Sequence, residues 1–184
     1  MPRIDLALVF FAYGLGCLNA GYYLLRWRDG RDLRALGSGN AGARNAGRVL
    51  GTRGFALVFA LDATKGLLAV LAARWWAPEA AALCAVAATL GHIYPIQLQW
   101  RGGKGVATAL GALGGLDLIV LAVAVSVFAL LRVARCRVNL AGLLAGACAV
   151  AYALATTPEP TSTATGLATL ALVTLLIYTH RPRR

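Results

Sequence analysis

Long apolar runs separated by short polar breaks recur along the chain, and several reach the ~18 residues of a membrane-crossing helix. The first covers Ile4 to Leu25 and is followed by a basic, glycine-rich segment from Arg26 to Arg53. A second covers Phe55 to Ala73, and beyond the break Arg74-Trp75-Trp76-Ala77-Pro78-Glu79 a third reaches Ile93. A glycine cluster from Gly91 to Gly105 precedes the apolar stretch Val106–Leu131. The last two runs are Val138 to Ala155 and Thr165 to Tyr178. Between them Thr156-Thr157-Pro158-Glu159-Pro160 predicts a turn outside the hydrocarbon. Only helices and closed barrels satisfy their backbone in lipid, and these runs predict helices. The expected fold is all-α and polytopic, one domain over residues 1–184.

The stretch Val106–Leu131 could be one tilted helix or two short crossings, because Gly114-Gly115 and Asp117 interrupt it. Charge placement decides. Two crossings put 15 of the 18 lysines and arginines on one side, leaving Arg3 and Arg74 opposite and Lys65 within a span. The acids Asp5, Glu79, Asp117 and Glu159 then share the other side. Lys and Arg mark the cytoplasmic face, so the pattern predicts seven transmembrane helices with the N-terminus outside. The fourth crossing then has about twelve residues, roughly 18 Å of helix. A short helix that starts at a glycine cluster is the expected form of a broken-helix anion site.

With 59% hydrophobic and 14% charged residues, the chain is not an ordinary soluble domain. A net charge of +11 would suit nucleic acid, but basic residues confined to short loops set topology instead. The cysteines Cys17, Cys84, Cys136 and Cys148 lie in or beside apolar segments without C-x-x-C spacing. They read as buried thiols, with no metal site expected. No small-residue cleavage pattern follows the first apolar run, so it reads as a retained helix.

Three polar clusters carry the candidate chemistry. Gly37-Ser38-Gly39-Asn40-Ala41-Gly42-Ala43-Arg44-Asn45-Ala46-Gly47-Arg48 offers freed backbone amides, short neutral donors and guanidinium forks, or else a solvated connector. Gly102-Gly103-Lys104-Gly105 opens a helix that enters the bilayer, where free N–H groups, the helix dipole and Lys104 favour phosphate. The alternative is a basic interfacial loop. The Walker A spacing is absent. Asp62 and Lys65 are three residues apart on one helical face, as a structural ion pair would be. His92 precedes a proline turn and reads as a hydrogen-bonder, whereas His180 beside the basic tail could face the pocket or the headgroups. No pattern for a covalent acyl-enzyme is present.

The segments G-S-G-N-A-G-A-R-N-A-G-R-V-L-G (Gly37–Gly51), L-D-A-T-K-G (Leu61–Gly66) and G-H-I-Y-P…R-G-G-K-G-V-A-T (Gly91–Thr108) resemble the signature blocks of one family. It is the acyl-phosphate-dependent glycerol-3-phosphate acyltransferases (PlsY) of the bacterial inner membrane. The resemblance covers nearly the whole chain. It implies transfer of a fatty acyl group from acyl phosphate to the 1-hydroxyl of glycerol 3-phosphate, giving lysophosphatidate and phosphate, with no cofactor, acyl-CoA or metal. Its small-molecule partners would be those two substrates, met on the cytoplasmic face. It assigns Ser38, Gly39, Asn40, Asn45 and Arg48 to the first substrate-binding block and Gly102, Gly103, Lys104 and Gly105 to the second. His180 matches a histidine near the end of the last helix. Lys104 and Arg48 suit the two anionic substrates. The hydroxyl proton would pass to His180 or to a substrate phosphate oxygen.

The resemblance departs at named places. Arg44 stands where the family has Thr, and Cys17-Leu18-Asn19 where it has Ser-Ile-Pro. Asn139 and Gly142 replace two serines, so Asn139 keeps one substrate hydrogen bond in altered form. Arg183 replaces an asparagine, and the C-terminal tail is short. A non-catalytic homologue that binds phosphate or lipid, and a small transporter of a phosphorylated solute, are the competing readings. A transporter should show internal repeats, and the two halves show none.

Overall fold

A computed structural model of the chain describes residues 2–156 and 160–179, and among them every regular element is helical. The α-helices are α1 (Pro2–Cys17), α2 (Ala20–Asp29), α3 (Ala43–Trp76), α4 (Ala81–Ile93), α5 (Val106–Leu116), α6 (Leu118–Val133), α7 (Val138–Ala155) and α8 (Pro160–Thr179). By length and hydropathy α3, α7 and the segment 78–98 around α4 can each cross a membrane, and α1 with α2 makes a fourth as a bent pair. The helices α5 and α6 and the described end of α8 are shorter apolar pieces.

Two features differ from the expectation. The first apolar run is not one helix: α1 and α2 meet at 43° across Leu18-Asn19. Asn19 takes an extended conformation, and its side chain donates to the Cys17 carbonyl at 3.1 Å. The exposed carbonyls of Cys17 and Leu18 receive Gln97 Nε2 and Lys65 Nζ, both at 2.7 Å, so other segments satisfy the break. The basic segment is also more structured than a loop. It holds the end of α2, a 3-10 turn at Leu33–Ala35 and the start of α3 from Ala43 to Arg53.

Helix α3 is two arms. Gly51 has φ 74° and ψ −172°, a conformation open to glycine and closed to L side chains. A Cβ at Gly47 would lie 3.0 Å from Phe55 Cβ. Eight residues of straight helix would separate them by about 12 Å. Residues 43–50 therefore fold back on the arm 52–76, and Ala43 and Ala46 bury against Val58, Leu25 and Leu33.

The main core joins α1, α3, α4 and α5 through Ala12, Ala69, Val70, Ala73, Cys84, Ala85, Ala88 and Ala112. Small residues let these backbones approach closely, the usual basis of helix association in lipid. A Cβ at Gly111 would overlap the Ala63 carbonyl of α3, and one at Gly66 the Thr108 carbonyl of α5. Helix α5 ends at Leu116, and the Asp117 carboxylate caps α6 by accepting from Ile119 N–H at 2.7 Å and Val120 N–H at 3.1 Å. The interruption predicted in Val106–Leu131 is thus a true helix break. It falls at Asp117, while Gly114 and Gly115 stay helical. All four cysteines are free thiols; Cys17 and Cys84 are buried, but Cys148 is exposed on α7, contrary to expectation.

Candidate active site

The first glycine block is organised by Asn45, which is fully buried. Its Nδ2 reaches the carbonyls of Asn40 at 2.8 Å and of Leu33 and Leu36 at 3.0 Å. Its Oδ1 accepts from the Ser38 N–H at 2.7 Å and the Ser38 hydroxyl at 3.2 Å. The loop is therefore wound around one amide whose donors and acceptor are all engaged. Asn40 adds a second tier: Nδ2 donates to Ser38 Oγ at 3.0 Å, and Oδ1 accepts from Gly42 N–H at 3.0 Å, which starts α3. Gly39 sits in the loop at φ 73°.

Arg34 ties this block to the second one. It pairs with Asp32 at 2.8 Å, lies 5.0 Å from the centre of the Tyr22 ring, and donates to the Leu98 carbonyl at 2.6 Å and the Arg101 carbonyl at 3.1 Å. The hydrogen bonds from Arg34 hold the Asp32 carboxyl below the usual carboxylate range, and Asp32 pushes the guanidinium up in turn.

The second block is pinned to the end of α4. Gly102 N–H donates to the Ile93 carbonyl and Gly103 N–H to the His92 carbonyl, each at 3.1 Å. Gly105, at φ 86°, then opens α5. The two blocks touch: Ala41 N–H donates to the Gly102 carbonyl at 3.3 Å, and a Cβ at Gly42 would lie 3.7 Å from the Lys104 backbone nitrogen. The starts of α3 and α5 are thus neighbours. The leading N–H groups of a helix have no partner within it and carry the positive end of its dipole, so two such ends beside Lys104 form an anion-attracting seam. Thr179, at the end of α8, donates its hydroxyl to the Lys104 carbonyl at 3.1 Å. His180 follows it but lies outside the described residues.

Arg48 and Arg44 share a face of the first arm of α3, both exposed. With Gly47, Thr52 and Phe55 they line an open depression of about 430 Å³ in the cleft of the reversal. Asn139 is exposed on the first turn of α7. Asp62 and Lys65 are buried and lie 2.9 Å apart, Asp62 Oδ1 to Lys65 Nζ. His92 joins them, with Nδ1 2.8 Å from Lys65 Nζ and 3.4 Å from Asp62 Oδ1. Sequence reasoning did not find that third member, nor Arg34. His92 is 27 residues from Lys65, and only an apolar helix with one buried histidine at its end hinted at a charged neighbour. Among the described residues no group of His, Cys, Asp and Glu could hold a metal ion.

The family described as "Glycerol-3-phosphate acyltransferase" matches residues 6–183. The chain belongs to this family. Glycerol-3-phosphate acyltransferase 1 of Desulfitobacterium hafniense is 41% identical over 180 residues, 95% of this chain and 87% of that protein. The glycerol-3-phosphate acyltransferase of Myxococcus xanthus is 44% identical over 182 residues, 95% of this chain and 91% of that protein. The crystal structure of PlsY (YgiH), an integral membrane glycerol 3-phosphate acyltransferase, in its glycerol 3-phosphate form superposes with a TM-score of 0.86 at 33% identity. It covers 96% of this chain and 88% of that one. Its lysophosphatidic acid form superposes with a TM-score of 0.83 at 32% identity over the same shares. The chain is a membrane acyltransferase of this family, and the transporter reading falls away.

Proposed function

We propose that the seam between the two glycine blocks is where an acyl group passes from acyl phosphate to the 1-hydroxyl of glycerol 3-phosphate. The contact between the blocks carries this reading, because it sets two helix starts and Lys104 against one another. Acyl phosphate is already activated. The protein's task is to hold two anions in line and to stabilise charge on the leaving phosphate. The 1-hydroxyl oxygen bonds to the acyl carbon, the bond from that carbon to the phosphate oxygen breaks, and the hydroxyl proton passes to His180 or to a phosphate oxygen.

Lys104 and the Gly105 amide serve the acyl phosphate, while Gly102 and Gly103, whose N–H groups are engaged by the Ile93 and His92 carbonyls, hold the block in shape. Arg48 clamps the unreacting phosphate of glycerol 3-phosphate, and Ser38, Gly39 and Asn40 are assigned to the same substrate. Asn45 acts by holding that loop in shape, since its own groups are engaged there. Asn139 supplies a further hydrogen bond. Incubating purified protein with acyl phosphate and glycerol 3-phosphate should yield lysophosphatidate and inorganic phosphate, whereas acyl-CoA should yield none. Product from acyl-CoA alone would remove the donor assignment.

The chain crosses the bacterial inner membrane seven times with its N-terminus outside and the seam on the cytoplasmic side. The helix break at Asp117 and the basic residues of the connections support this. In a background lacking the four native cysteines, Leu118→Cys should label from outside and Ala134→Cys from the cytoplasm. The opposite pattern would invert the topology.

A further inference from the structure

The buried Asp62–Lys65–His92 cluster lies directly behind the second glycine block, and no step of acyl transfer uses it. Its geometry determines where the imidazole carries its proton. Lys65 Nζ is 2.8 Å from His92 Nδ1, and an ammonium group can only donate. Asp62 Oδ1, at 3.4 Å from the same nitrogen, is beyond a good hydrogen bond, so Nδ1 accepts from Lys65 and the ring proton sits on Nε2. Lys65 is itself held by the Asp62 carboxylate at 2.9 Å and the Leu18 carbonyl at 2.7 Å. The break between α1 and α2 supplies that carbonyl, so three segments converge to orient one ring.

The other edge of the ring meets Gly103. A Cβ there would overlap Nε2 and lie 2.8 Å from Cε1 and 3.0 Å from Cδ2. The imidazole occupies the volume a side chain at residue 103 would need. The His92 carbonyl holds the same glycine from its backbone side at 3.1 Å.

We propose that His92 is a positioning residue for the transfer reaction. Locked by Lys65, its ring is the surface on which Gly103 rests, and it sets where Lys104 and the start of α5 lie relative to the phosphate. The proposal rests on the reading of the glycine block as the phosphate site. It requires that the polar cluster acts on chemistry through the backbone of Gly103, besides locating α3 and α4.

Kinetics of monodisperse folded Gly103→Ala, His92→Ala and the double variant test this. Each single change should lower kcat/KM for acyl phosphate by about 100-fold, the scale of a ~1 Å misplacement in an active site. With the ring removed, an alanine at 103 has room, so the double variant should be no slower than His92→Ala. Losses that multiply would overturn the proposal. So would a His92→Ala enzyme with lowered thermal stability and unchanged kinetics. Lys104→Met and Gly103→Ala both with unchanged kinetics would instead remove the phosphate site itself. Where the variants do not fold, imidazole ¹⁵N spectra of the wild-type protein decide, since it has only two histidines. His92 should show protonated Nε2 and unprotonated Nδ1 at neutral pH; the reverse tautomer, or an imidazolium, would overturn the lock.

Discussion

Helices α1 to α5 and helices α6 to α8 solve the same problem differently. Of the buried polar side chains among the described residues, Asn19, Asn45, Asp62, Lys65, Thr89, His92 and Thr108 belong to the first group and Thr169 to the second. Thr169 bonds back to the Thr165 carbonyl of its own helix, as Thr89 does to the Ala85 carbonyl, whereas Asn45, Lys65 and His92 bond between segments. The second group packs by shape: Ala141, Ala145, Ala149 and Ala153 bury one stripe of α7, and Ala149 and Ala153 meet Leu113, Val120 and Ala124. Lipid tails are as apolar as leucine, so hydrophobicity does not choose among helix contacts in a bilayer. Directional bonds do choose, and they are concentrated around the glycine blocks. The polar group fixes a site, whereas the alanine group completes a bundle.

The sharpest way to break this contrast is to leave one charge unpaired in the polar group. Asp62→Asn or Lys65→Met alone should cost about 3–5 kcal/mol of stability, and the pair together clearly less than the sum. Additive losses in chemical denaturation would mean the ion pair contributes nothing beyond its parts. Next in size, Lys104→Met should lower turnover at saturating substrates by about 100- to 1000-fold, the usual effect of losing a group that stabilises transition-state charge. Arg48→Ala should instead raise KM for glycerol 3-phosphate by about tenfold to 150-fold, a charged hydrogen bond's worth. The neighbouring Arg44 calls for the same test in an Arg44→Thr background. A raised KM in Lys104→Met together with lost turnover in Arg48→Ala would reverse the assignment. The smallest effect belongs to the alanine group. Ala149→Leu should cost about 1–3 kcal/mol through overpacking and leave kcat and KM unchanged per folded molecule. A kinetic defect there would show that the buried stripe of α7, beyond Asn139 at its start, shapes the site.

Much of this plan was legible in the residues. Apolar runs announced α4, α7 and the spanning arm of α3 because lipid demands length above all. Asp117, a lone carboxylate in hydrophobic sequence, marked the break before α6. The turn at Leu18-Asn19 had a fainter mark, one asparagine in an apolar run, and its carbonyls are satisfied by that asparagine together with the distant Lys65 and Gln97. The reversal at Gly51 was hidden among other glycines, since composition does not show which one takes a positive φ. Asn45 illustrates the limit within the site. An asparagine in a glycine-rich block suits substrate binding and loop closure equally, and only the carbonyls converging on its Nδ2 separate the two. His92 joined the ion pair across 27 residues, a distance no local pattern spans.

Helix α5 has eleven residues, about 16 Å of rise. Its backbone contacts with Ala63 and the Val70 side chain hold it beside the far half of the long arm of α3. On the proposed topology, with Asp117 at the outer rim, its glycine start would lie near the midplane of a ~30 Å hydrocarbon layer. At that depth a fatty chain can remain among the lipid tails while its activated end meets the enzyme. On the proposed topology the water-soluble reactant would make the journey instead, to the glycine start of α5 beside Lys104. On that topology so short a helix would let the enzyme bring the aqueous phase to the lipid, where a longer one would require lifting the lipid into water.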